Sequence, residues 1–291
     1  WMADALIGFA FDNAQQNYDR FRNHPYWHER YGDIPNAAKR DFEWTGFYSE
    51  VADKLLAFRK NREDLVNWLN GIASELNAMG NLTDMYSDGT SGPLRDICPF
   101  TVFGTFNRGI SNTNRKAIAA EFAEFLNVTE PVPESFDAIP VLNNMSSWLF
   151  SHEKDRGTDD IDALWELFHE ALEYSDEYGS EDRSALLNAY DNVAAIPHVG
   201  WKATIGLYWI RPWDFPPLDA PSRSYIEKKL GIEIGRNGPG GRCSASDYFK
   251  VRDDLEARFQ EEAYPVHSFP ELSLAAWHLA NDELEEDPEL K

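Results

Sequence analysis

The segment AAIPHVGWKATIGLYWIRPWDFPPLDAPSRSY, residues 194–225, constrains the fold of this chain more than any other. Proline stops one helix and glycine lets the backbone turn before the next. Ile196-Pro197-His198-Val199-Gly200 therefore reads as a tight hairpin between two helices. Trp201 to Ile210 is apolar almost all round, which predicts a buried segment, helix or strand. Arg211-Pro212 ends it, because proline cannot continue a helix and restrains the residue before it. Asp219 and Arg223 follow on a proline-rich loop. The segment also holds Trp201, Trp209 and Trp213, three of the ten tryptophans.

On both sides of it the apolar spacing is helical. Phe47, Val51, Leu55 and Phe58 predict a helix over 44–60 with Thr45 as its cap. Asn61 is placed to cap a second helix, with Leu65, Trp68, Leu69, Ile72 and Leu76 inside and Gly80-Asn81 as its stop. Residues 83–93 read as a loop of Ser, Gly and Asp. Phe100, Phe103 and Phe106 predict a short helical turn, and Asn107-Arg108-Gly109 a tight turn. Further helices are expected over 112–126, 160–174, 182–195, 246–262 and 269–280. Prolines 131, 133 and 140 mark a long loop. No internal repeat and no series of strands is visible. The fold class is mainly α: a multi-helix globular bundle with long loops and a helix-hairpin-helix at 182–210. The expected organisation is an N-terminal arm (1–43), a helical domain (44–281) with a sub-boundary near 150–158, and an acidic tail or linker (282–291).

Composition bounds the function. The chain has 291 residues, 43% hydrophobic and 14% aromatic, which excludes a disordered polymer. No stretch approaches the roughly 20 apolar residues that span a bilayer. Cys98 and Cys243 supply neither a disulfide framework nor metal-ligand spacing, which points to a reducing cytoplasm. His24 and His28 lie four apart, but Pro25 between them argues against a helical metal pair. His169 among the acids of the 160–174 helix is read as part of a solvated face. No metal and no cofactor is expected, and Gly235 to Gly241 lacks the Lys-Ser/Thr of a phosphate loop, so it reads as a mobile loop.

The net charge of −23 opposes a nucleic-acid role, since phosphate binding needs basic surface. The charge is uneven, however. Residues 196–242 carry seven basic and four acidic side chains, a local +3 that leaves −26 elsewhere. A focused contact through Pro197, Val199, Gly200, Trp201, Lys202, Arg211, Arg223, Lys228 and Lys229 is the candidate site. The cations would meet phosphates, and Trp201 or Trp213 would stack on a base. A solvated surface with chance clustering is the competing reading.

Several segments together carry a resemblance. They are Phe47-Tyr48-x-Glu50-x-Ala52-Asp53-Lys54-Leu55-Leu56, Asn61-Arg62-x-x-Leu65, Asp96-Ile97-x-Pro99-Phe100-Thr101-Val102-Phe103-Gly104-x-Phe106-Asn107-Arg108-Gly109, Asn114-Arg115, Ile139-Pro140-Val141-Leu142-Asn143-Asn144, Asp162-x-Leu164-Trp165-x-Leu167-Phe168 and Gly206-Leu207-Tyr208-Trp209-Ile210-Arg211-Pro212. The series resembles the region ahead of the motor in McrB-like modification-dependent restriction GTPases. The resemblance implies a DNA-recognition or targeting module of a restriction or phage-defence system. It implies modified DNA and a GTPase motor or nuclease subunit as partners. No motor loop is present here, so nucleotide hydrolysis does not carry over and the chain is read as non-catalytic by itself. A second likeness, Ile196-Pro197-His198-Val199-Gly200-x-Lys202 with Asp219, is to helix-hairpin-helix DNA glycosylases. It implies Lys202 as an amine nucleophile and Asp219 as the carboxylate beside the sugar, with His198 standing where that family has glycine. A third alternative, an acidic protein-interaction module, follows from the charge.

Overall fold

The buried segment is a helix, and the other helices are arranged around it. A computed structural model describes residues 42–76, 79, 82–176, 183–259, 261 and 263–286. His24 and His28, the arm up to residue 41, the Gly80-Asn81 stop, Asp182 and the tail from 287 lie outside the described residues. In chain order the helices are α1 (Trp44–Leu55), α2 (Arg62–Glu75), α3 (Pro99–Gly104), α4 (Asn112–Leu126), α5 (Asp160–Asp176), α6 (Ser184–Ala194), α7 (Lys202–Ile210), α8 (Ala220–Tyr225), α9 (Ala245–Arg258) and α10 (Phe269–Glu286). The chain is mainly α-helical, with long loops between the packed helices.

Every residue of α7 from Ala203 to Ile210 is buried. The helix packs against α1, α3, α5 and α6, which explains why it carries no polar stripe. Gly206 permits the closest of these approaches, since a Cβ there would stand 2.5 Å from Cδ1 of Phe100 on α3. One continuous cluster of buried apolar side chains runs from Phe42 to Ala276, and α3 packs on α5 across residues 150–158.

Some local expectations change. Thr45 lies inside α1 and its hydroxyl donates to Phe42 O at 2.8 Å, so it does not cap the helix. Asn61 precedes α2 but reaches the Asp64 carboxylate rather than a backbone N–H. Residues 83–93 form a small antiparallel hairpin, β1 (Thr83–Met85) and β2 (Ser91–Pro93), not a bare loop. The hairpin escapes the period-2 rule because its three-residue strands are too short to show alternation. Capping chemistry holds elsewhere. Ser111 caps α4, and Ser244 with Asp247 closes a capping box on α9.

The long loop 127–159 is fixed by side chains of α7. Tyr208 Oη donates to Ala138 O (2.9 Å) and Trp209 Nε1 to Pro140 O (3.0 Å). Lys202 Nζ donates to Ser146 O (3.0 Å) and to Trp148 O. Buried backbone carbonyls need such partners, and here the central helix supplies them.

Candidate functional site

The turn between α6 and α7 places two residues in the left-handed region, His198 (φ 69°) and Gly200 (φ 51°). Glycine adopts it freely, whereas a residue with a Cβ is strained by roughly 1–2 kcal/mol. Pro197 and His198 are exposed, and Val199 is fully buried as an apolar anchor. A Cβ on Gly200 would come within 3.1 Å of Arg242 Nε, so the Arg242 side chain lies across the turn. The Trp201 ring is half-buried, with the Arg223 guanidinium 4.3 Å above it. Arg223 Nη1 donates to Leu218 O at 2.6 Å.

Beside this corner is a cleft of about 380 Å³. Lys202, His198, Arg108 and His152 line it, together with Asn144, Met145, Ser146, Ser147, Ser151 and the rings of Trp148 and Phe150. No carboxylate is among the lining residues. Burial lowers the Lys202 ammonium to about 8. The Trp148 ring tilts against Phe150 (5.2 Å between centroids) and meets the His152 ring edge-on (5.5 Å). Behind His152 lies Asp84 of β1, which is fully buried. Its carboxylate contacts His152 Nδ1 (2.9 Å) and accepts from Glu153 N (3.0 Å), Met85 N (2.8 Å) and Arg156 Nη1 (3.1 Å). Such a charge tolerates burial only when its lone pairs are satisfied, and here it orients the cleft wall.

A second cleft, about 350 Å³, shares no lining residue with the first. Asn112, Arg115, residues 136–141, Asp219, Pro221, Ser273 and Trp277 line it. Asp219 caps α8, its Oδ1 accepting from Ser222 N at 3.1 Å, and burial raises its carboxyl above the usual range. The expected Lys202–Asp219 pair is therefore not assembled, because the amine faces one cleft and the carboxylate the other.

Arg211 also leaves the candidate site. It is buried, and its guanidinium bonds Asp53 (2.6 Å), Asp176 (3.4 Å), Ile210 O (3.0 Å) and Ser49 O (3.4 Å). Its function is to tie α7 to α1 and the end of α5. Trp213 packs edge-on against Phe42 at 6.1 Å. Lys228 and Lys229 are exposed on the turn Ile226–Leu230 after α8, and neither lines the first cleft. The glycine-rich loop is pinned, not mobile. Asn237 N and Nδ2 donate to Asp247 (2.8 and 2.7 Å), and Gly238 N donates to Arg242 O (2.7 Å).

Of the expected cationic corner, Arg223 lies over Trp201, the Lys202 amine faces the first cleft, whose lining includes neither of them, and Arg211 is paired elsewhere. Arg108, His152, Asn144, Trp148 and Asp84 were not singled out from the sequence as site residues. Arg108 and Asn144 do fall in two quoted motifs, and the structure joins those motifs: Gly109 N donates to Leu142 O (3.2 Å) and Asn144 Nδ2 to Gly109 O (2.9 Å). Among the described residues no group of three or more His, Cys, Asp or Glu side chains is placed to hold a metal. Among them, too, no helix is long and apolar enough to cross a membrane.

A family model described as a domain of unknown function (DUF8425) matches residues 44–279. The match covers most of the chain, which therefore belongs to that family. No curated protein and no solved structure matches it.

Proposed function

We propose that this DUF8425 chain is a DNA-recognition or targeting module of a McrB-like restriction or phage-defence system, acting in the cytoplasm and non-catalytic by itself. One observation carries the reading. In a chain of net charge −23, the first cleft gathers Lys202, Arg108, His152 and His198 with no carboxylate in its lining, beside the indole of Trp148. The acids elsewhere on the molecule stabilise such cations, and the cleft concentrates their field on whatever enters. An aromatic face next to cations suits a base and its phosphate. Arg223 over Trp201 and Arg242 across Gly200 add two cations on the neighbouring turn, outside the lining of the cleft. In this reading hydrolysis belongs to a GTPase motor or nuclease partner.

The test is an anisotropy titration with a duplex carrying 5-methylcytosine and its unmodified counterpart, at low and at physiological salt. Binding is expected at low salt and weakens as salt rises, because released counterions drive it. Lys202→Gln and Trp148→Ala are each expected to weaken it about tenfold, the size of one lost stacking or phosphate contact. Failure to bind either duplex at low salt, or unchanged affinity in both variants, overturns the proposal.

A further inference from the structure

We propose that the second cleft is a docking site for a basic segment of a protein partner, which places an arginine or lysine side chain between the Trp277 indole and the carboxylates of Asp137 and Asp219. Three large apolar side chains are conspicuously exposed among the described residues: Val141 (50%), Met145 (94%) and Trp277 (55%). Two of them, Val141 and Trp277, line this cleft. Folding does not require Trp277 to be there, since α10 is anchored through Leu272 and Ala276, both buried. An indole left in water beside a cavity is the kind of anchor that interfaces use.

The charge of the cleft selects the occupant. Its titratable lining groups are Arg115, Asp137 and Asp219. Arg115 is engaged by its own protein. Nε donates to Phe106 O (2.9 Å), Nη1 to Asn112 Oδ1 (3.0 Å) and Nη2 to Arg108 O (3.3 Å), with the guanidinium over Phe136. What remains to face a ligand is an indole and two carboxylates, each partly engaged: Asp137 Oδ2 accepts from Ser135 Oγ (2.6 Å), and Asp219 caps α8 with the charge of Arg223 acting on it. A cation meets both, through Coulomb attraction and through the ring face. Burial raises Asp219 by disfavouring its anion, and a cation arriving beside it acts in the opposite direction. Phosphate is repelled by the same carboxylates, so this cleft and the first one favour ligands of opposite sign. The net charge of −23 draws basic partners towards the molecule before contact.

The probe is an acetylated leucine–arginine–leucine amide, with a leucine–glutamate–leucine amide as control and no DNA present. The readout is the indole N–H resonance of Trp277, assigned by its loss in Trp277→Phe. The arginine peptide is expected to shift that resonance saturably in the millimolar range, and the glutamate peptide to leave it in place. Asp137→Asn with Asp219→Asn keeps the α8 cap, because asparagine caps as well as aspartate. That double variant is expected to weaken the arginine peptide about fivefold or more. No shift, an equal shift with the glutamate peptide, or unchanged affinity in the double variant overturns the proposal. None of these outcomes depends on DNA binding at the first cleft.

Discussion

Replacing Arg211 by methionine separates a structural cation from a phosphate contact. Methionine keeps the aliphatic stem and removes the guanidinium. The variant loses bonds to Asp53 (2.6 Å) and Asp176 (3.4 Å) and to the carbonyls of Ile210 and Ser49. Breaking a fully buried ion pair costs roughly 3–5 kcal/mol. Here the partners are more open, with side-chain exposures of 53% for Asp53 and 66% for Asp176, and water re-solvates them. The expected loss is nearer that of a charged hydrogen bond, about 2 kcal/mol. For a domain of this size that lowers Tm by about 4–8 °C. The loss also depends on pH. Burial raises Asp214 to about 6, while the charges of Arg252 and Arg211 favour its anion. Removing Arg211 disfavours that anion further, so the destabilisation is larger at pH 8 than at pH 5, where Asp214 takes up a proton. Near-UV circular dichroism follows the melt through the buried indoles. DNA affinity of the folded variant at low temperature is expected to match the parent. A variant that melts with the parent but no longer binds DNA refutes the structural assignment.

Two other substitutions test the packing and the buried charge. Gly206→Ala gains about 1 kcal/mol of helix propensity, but its Cβ would stand 2.5 Å from Cδ1 and 2.9 Å from Cγ of Phe100. Overpacking costs roughly 1–3 kcal/mol, so the net change is expected to be destabilising in urea unfolding, and a stabilised variant contradicts the close approach of α3 and α7. Asp214→Asn tests the carboxyl that burial raises from 3.8 to about 6. Between these values the native state holds a proton that the unfolded chain has released, so this group's contribution falls as pH rises, by about 3 kcal/mol in all. The difference between parent and variant stabilities is therefore expected to change across pH 4–6, and parallel pH curves contradict the assignment.

The helices were legible because their signals are local. Apolar spacing, a cap and a stop lie within one or two turns, and Ser111–Leu126 shows all three in a row. Thr45 misleads for the same reason. A hydroxyl near a helix start suits a cap, yet the chain turns earlier and Phe42 O takes the bond instead. Lys202 and Arg211 show the limit for sites. Both sit at the ends of one helix, both are cationic, and nothing in their spacing distinguishes them. What separates them is long-range: the Lys202 amine donates to carbonyls of the loop 146–148, whereas Arg211 meets carboxylates from α1 and α5.

The same long-range contacts relocate the functional surface. The stretch richest in sequence signal, α7, is almost wholly buried and acts as a frame. Through Lys202, Tyr208 and Trp209 it holds a segment of irregular backbone in place, from Ala138 to Trp148. Residues 138–141 of that segment line the acidic cleft and residues 144–148 line the cationic one. Between them Leu142 N donates to Asn107 O (2.9 Å), which pins the midpoint to the end of α3. One strip of chain therefore forms a wall of both clefts and carries Val141 and Met145, two of the exposed apolar side chains. Loops held on a rigid scaffold are where binding residues concentrate, because their backbone can face solvent while the frame fixes their position. In this chain the aromatic helix is explained by the loop it supports, and a ligand in either cleft touches the same short segment.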